Sequence, residues 1–143
     1  MFISDVLKTQ DRPVERIRDT QSVLDAIQKL VEKHIGSLLV EDEDRAIIGI
    51  ITERDILCDS AERSHLLNET LVREVMTRDL ILGEPEDNVS EVLALMTRYR
   101  VRHMPIMSGS RLAGMVSIGD LVKAQLEEAH LENHHLKDYI QGR

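Results

Sequence analysis

Along the first half of the chain, apolar residues follow two different periods. Val23, Ile27, Leu30 and Val31 recur every three or four residues, which predicts a helix with one buried face. Gly36 is the expected C-terminal stop of that helix. Beyond it, SLLV (37–40) and AIIGII (46–51) are short aliphatic, partly β-branched runs, predicting two buried strands joined by the turn EDEDR. PVERI, from Pro13, reads as a short extended segment ahead of the first helix, and Thr52 opens a second one. The second half reads the same way: strand LIL (80–82), helix 89–99, strand HMPI (103–106), turn SGSR, strand LAGMV (112–116), and a helix after Ser117.

These are two copies of one unit. Shifted by 66 residues, Val23 falls on Val89, Ile27 on Leu93, Leu30 on Met96, Ile35 on Val101, Leu38 on Met104 and Val40 on Ile106. After a one-residue shortening in the next turn, Gly49 falls on Gly114 and Asp55 on Asp120. Short preludes match as well, ISDVLK from Ile3 and VREVMT from Val72. The division is therefore repeat 1 over 3–60, a polar linker over 61–71, repeat 2 over 72–124 and a helical extension over 125–143. Each repeat is β-α-β-β-α, too small to cover both faces of its own sheet. The expected fold is α/β (α+β), two tandem repeats packed with pseudo-two-fold symmetry and ending in a long C-terminal helix.

Thr52 with Asp55, and Ser117 with Asp120, repeat a hydroxyl followed three residues on by a carboxylate. That spacing suits a helix N-terminal capping box, and it equally suits a pair of groups that grip a ligand. Composition narrows the ligand. A net charge of -8 argues against a nucleic-acid partner, since phosphate-backbone binding needs clustered Lys and Arg. The longest apolar run, AIIGII, is far shorter than the about 20 residues of a membrane span, so no membrane partner is expected. Cys58 is the only cysteine; no intrachain disulfide is possible, and a small core-facing residue is its plainer reading. MFISDVLKTQD has no cationic start followed by a long apolar run, so it is not a secretion signal, and a cytoplasmic location is expected. No enzyme constellation emerges: no serine has a placed base and the cysteine has no obvious partner.

Two β-α-β-β-α units with short preludes, the strand R-H-x-P-[IV] at Arg102–Ile106, and G-h-h-[ST]-x-x-D at Gly49–Asp55 and Gly114–Asp120 together resemble a tandem pair of CBS (cystathionine beta-synthase) domains, or Bateman module. The resemblance runs from Ile3 to about Ala124, and the ending LEEAHLENHHLKDYIQG is similar to small stand-alone bacterial proteins of this kind. It implies a non-catalytic sensor that binds an adenine nucleotide (AMP, ADP, ATP or NAD, with S-adenosylmethionine another known ligand type) in clefts between the repeats and reports energy or redox state to a regulated protein.

The residues suit that implication. Asp55 and Asp120 each offer two acceptor oxygens to the 2′ and 3′ hydroxyls of a ribose. Thr52 and Ser117, at helix N-termini, suit phosphate, with Arg54, Arg102, His103 and Ser37 as further contacts. With no Trp, one Phe and two Tyr, aliphatic rather than aromatic residues would sandwich the base: Val14, Ile17, Ile50, Ile81 and Met115, with Arg16, Met104 and Pro105 beside them. Repeat 2 has Arg102 and His103 where repeat 1 has Gly36 and Ser37, so the resemblance implies a charged site joining Thr52 and Asp55 to Arg102 and His103. The Asp120 site, with Gly119 in place of Arg54, is expected to be poor in phosphate-binding charge.

Two alternatives stand beside this reading. One is a ligand-free structural or protein-interaction module in which the Asp residues are caps only. The other is a metal-binding protein using His130, His134 and His135 with Glu127 or Asp138, although no full zinc motif occurs. Val122, Leu126, Ala129, Asn133, Leu136 and Ile140 alternate four and three apart, a seam with one Asn at an a-type position. It predicts pairing of the last helix, either in a homodimer or against the chain's own preludes.

Overall fold

The computed structural model describes residues 1–63 and 66–140, and side chains at 1–62 and 66–134. Its elements run α1 (Ile3–Thr9), β1 (Arg16–Arg18), α2 (Val23–Lys33), β2 (Ser37–Glu41), β3 (Ile47–Thr52), α3 (Glu53–Arg63), α4 (Val72–Val75), α5 (Val89–Tyr99), β4 (His103–Ser108), β5 (Arg111–Ser117) and α6 (Ile118–Ile140). The mixed α/β architecture and the long C-terminal helix match the expectation. The chain divides into two compact units, one made of Met1–Arg12 with Ile81–Arg143, the other of Pro13–Leu80.

That division cuts across the sequence repeats, because the preludes are exchanged: α1 belongs with repeat 2, and α4 with repeat 1. Both dock by the same bonds. Val72 N–H donates to Gln21 O at 2.8 Å and Arg73 N–H to Asp19 O at 3.1 Å, while Ile3 N–H donates to Asp87 O and Ser4 N–H to Pro85 O, both at 2.9 Å. In return Val23 N–H donates to Thr70 O and Val89 N–H to Met1 O. Ile3 and Val72 are both fully buried, and each completes the core of the unit it joins.

α2 and α5 end alike, and α2 takes its left-handed residue two positions before the expected stop at Gly36. His34 and Arg100 take left-handed conformations, with φ of 55° and 56°, and Ile35 N–H and Val101 N–H reach back to Leu30 O and Met96 O. That closure caps the last carbonyls and turns Ile35 and Val101 onto the cores, so no glycine is needed. In the three-stranded sheet β1 runs parallel to β2 and β2 antiparallel to β3; β4 and β5 pair antiparallel, and each hairpin has a register shift at the same place, after Val40 and after Ile106.

The predicted strand at 80–82 is a correction. Only Gly83 bridges β4, donating to Pro105 O and accepting from Met107 N–H. In repeat 1 Leu39 N–H donates to Glu15 O at 3.2 Å; its counterpart in repeat 2 is Pro105, which has no N–H to give. On the other side Pro85 ends any continuation of the ladder. Cys58 is a second correction, for it is exposed. Ile56 turns the buried face of α3 inward, and a residue two positions on lies on the opposite side of a helix. α3 also runs to Arg63, so the helix takes up the start of the expected linker.

Gly49 and Gly114 are seats for the exchanged preludes. A Cβ at Gly49 would lie 2.8 Å from both Met76 Sδ and the Thr77 carbonyl oxygen, and one at Gly114 would lie 2.7 Å from Leu7 Cδ2. The Leu7 tip is a flexible side-chain end, whereas the Thr77 carbonyl is backbone held by its bridge to Ile50. Gly49→Ala is therefore expected to destabilise the protein by about 1–3 kcal/mol, and Gly114→Ala by clearly less, in urea denaturation. Equal losses would contradict this account of the two seats.

Candidate functional site

The two hydroxyl–carboxylate pairs sit at the starts of α3 and α6, directly after β3 and β5, and both form complete capping boxes. Thr52 N–H donates to Asp55 Oδ2 at 3.0 Å and Asp55 N–H to Thr52 Oγ1 at 3.2 Å. Ser117 N–H donates to Asp120 Oδ2 at 2.9 Å and Asp120 N–H to Ser117 Oγ at 3.1 Å. Each satisfies a helix N-terminus and holds its carboxylate in one rotamer.

The exchanged preludes then bring different partners to the two carboxylates. Thr77, just past α4, donates its hydroxyl to Asp55 Oδ1 at 3.0 Å. At Asp120, Gln10 Nε2 donates to Oδ2 at 3.1 Å, and an Arg12 guanidinium nitrogen lies 3.8 Å from Oδ1. A carboxylate has about four acceptor positions. Among the described partners Asp55 uses two of them, both with uncharged donors.

Beside Asp120 lies a cavity of about 280 Å³ lined by Val6, Thr9, Gln10, Asp11, Arg12, Asp120, Lys123, Ala124 and Glu127. Arg12 and Lys123 were not singled out in the sequence, and they correct the expectation that Asp120 lacks cationic neighbours. Their signal was weak, since Arg12 is an ordinary loop charge before Pro13 until folding carries it across 108 positions to Asp120.

The remaining expected residues divide between the two units. Ser37 pairs with Thr52 across β2 and β3, and the row Arg16, Leu39, Ile50 continues across that sheet to Thr77. His103 pairs with Ser117 and Pro105 with Met115 across β4 and β5, while Ile118 N–H donates to Arg102 O. Arg102 and His103 thus share a unit with Ser117 and Asp120, and Ser37 shares one with Thr52 and Asp55. Arg54 and Arg102 are exposed; Val14, Arg16, Ile81, His103 and Met115 are half-buried. Ile17 and Met104 belong to the two hydrophobic cores, Met104 with no exposed surface, and Ile50 and Pro105 are also buried.

Along α6, Val122, Leu126, Ala129 and Asn133 face solvent, with Leu126 56% exposed, and Leu136 and Ile140 lie outside the described side chains. It is Leu121 and Ala124, not the seam, that pack on the core shared with α1. His130 and His134 are exposed, His135 and Asp138 lie outside the described side chains, and no group of three potential metal ligands converges among the described residues. Among those residues no helix is long and apolar enough to cross a membrane.

Comparison with known proteins agrees with this architecture. The CBS domain model matches twice, at residues 3–61 and 72–127. A mitochondrial CBS domain-containing protein of Arabidopsis thaliana, CBSX3, is 36% identical over 98% of this chain and 72% of its own length. Among solved structures, one from Burkholderia ambifaria described as a signal-transduction protein with CBS domains superposes with a TM-score of 0.85 at 38% identity, covering 89% of this chain and 95% of that one. The CBS domain pair of protein MJ0100, solved with 5′-methylthioadenosine and S-adenosyl-L-methionine, gives a TM-score of 0.73 at 25% identity over 90% of this chain and 98% of its own. With two matched copies spanning most of its length, the chain belongs to the CBS domain family as a tandem CBS pair.

Proposed function

We propose that this CBS pair is a regulatory sensor of adenosine-containing ligands, with Asp55 and Asp120 as the ribose-binding groups. The observation that carries the reading is the state of the Asp55 carboxylate. It is fixed in one rotamer by its cap, yet its described partners leave about half of its acceptor capacity for a vicinal diol. A ribose could add its hydroxyls there without undoing the helix cap. Thr52, Ser117, Arg54, Arg102, His103 and Ser37 supply the phosphate contacts in this reading. In the same reading Val14, Arg16, Ile17 and Ile50 of one unit, and Ile81, Met104, Pro105 and Met115 of the other, are the adenine-slot residues, the buried ones as backing.

The adenosine moiety shared by the two ligands of the MJ0100 pair supports the same class. AMP, ADP, ATP, NAD(H) and S-adenosylmethionine all carry it, and the signal passes to a regulated protein in the cytoplasm. Ligand acts as a switch only if it binds two conformations with different affinity. Self-association through the CBS pair and α6 completes the proposal, supported by the exposed Val122 and Leu126 on one helix.

A competing reading, an interaction module with no ligand, draws on the caps being complete by themselves. A thermal-shift panel of AMP, ATP, NAD, NADH and S-adenosylmethionine separates the two, because a ligand at 100 times its Kd should add about 2.7 kcal/mol. No shift with any of them would favour the interaction module. Asp55→Ala and Asp120→Ala each lose the N3 half of a capping box, about 0.3–1.5 kcal/mol even without ligand, so the readout is the ligand-induced increment in each variant. That increment is expected to fall in both, and to fall for a 2′-deoxy analogue in the wild type. Leu126→Glu is expected to lower the sedimentation mass if α6 carries self-association; an unchanged mass would exclude that helix.

A further inference from the structure

The two carboxylates differ in one respect that bears on selectivity. The Asp55 carboxylate is met by a hydroxyl, the Asp120 carboxylate by an amide and a guanidinium. Resting on the nucleotide reading above, we propose that Arg12 is the specificity-determining residue of the Asp120 site, making it select anionic nucleotides over neutral nucleosides.

Asp120 Oδ2 already accepts from Ser117 N–H and Gln10 Nε2, and Oδ1 faces Arg12, so a diol that engages both oxygens takes the place of the Gln10 amide on Oδ2 and competes with the guanidinium for Oδ1. Displacement is easy. The pair is long, at 3.8 Å, and the Arg12 side chain is 67% exposed, a geometry in which an ion pair contributes little. Once displaced, Arg12 remains at the wall of a cavity that it shares with Lys123, Asp11 and Glu127. With Asp120 the cavity carries three acids against Lys123 and Arg12, so an incoming phosphate needs a direct cationic partner. Arg12, drawn off Asp120 by the ribose, is free to be that partner for the phosphate of the same ligand. A nucleoside takes the carboxylate and returns nothing to the guanidinium; a nucleotide exchanges one anionic partner for another, with bidentate geometry available.

The test is calorimetric titration of AMP and adenosine into Asp55→Asn protein, which isolates the Asp120 site, with and without Arg12→Ala or Arg12→Lys. AMP is expected to bind more tightly than adenosine in the parent. Arg12→Ala should weaken AMP by roughly tenfold, the loss of one charge-assisted contact, and strengthen adenosine, while Arg12→Lys keeps much of the preference. An AMP-to-adenosine affinity ratio unchanged by Arg12→Ala overturns the proposal and leaves the nucleotide reading standing. No binding of AMP to the wild type overturns this proposal, and the nucleotide reading falls with it only if every ligand of the thermal-shift panel also fails to bind. Arg12 is exposed, so its variants should fold as the wild type does; the Lys123 amide resonance reports the same site in the single variants should Asp55→Asn prove unstable.

Discussion

Exchange of the preludes is the contact on which both units rest. Each repeat leaves the turn before its first long helix with carbonyls to satisfy and its core open at one edge. The first turn of a helix has spare N–H groups and, here, a fully buried Ile3 or Val72. Docking one on the other joins these needs: two N–H groups go to the turn, one comes back, and an aliphatic side chain closes the core. Burial of such a side chain contributes about 1.5–3 kcal/mol, comparable with the whole cost of a seat that fails. The glycine under each prelude is the corresponding constraint on the sheet, because a side chain there would occupy the space of Met76 or Leu7.

The same exchange determines the chemistry at the helix starts. A capping box by itself leaves a carboxylate pointed but uncommitted. The segment following each prelude then decides what meets it, Thr77 at Asp55 and Gln10 with Arg12 at Asp120. Two repeats alike in their strands and helices thereby present one carboxylate with neutral company and one beside a cation and a mixed-charge cavity. Divergence between the sites lies in the side chains that follow each prelude.

Elements with a strong local signal were legible. The bounds of α5 follow directly from its periodicity, and β2 to β5 follow from short aliphatic runs between turns. In two of the places where the reading failed, a non-local partner decided the outcome. Residues 80–82 look like a strand by composition, but the missing N–H belongs to Pro105, on another element. Gly36 looks like a helix stop, but Ile35 and Val101 gain more by turning onto the core, and that pulls the left-handed residue back to His34 and Arg100. Cys58 followed composition inward in expectation and the helix phase outward in fact.

The doubled Thr52/Asp55 and Ser117/Asp120 signature, the repeat and hence the family are properties of the sequence alone, since each depends on spacing within a few residues or on comparison of one half with the other. Which prelude joins which repeat, and therefore that Arg12 stands beside Asp120 and Thr77 beside Asp55, was decided only in three dimensions. Periodicity records which face of a segment is buried. It holds no record of what that face is buried against, and contacts across 108 positions of chain exist only after the core has closed.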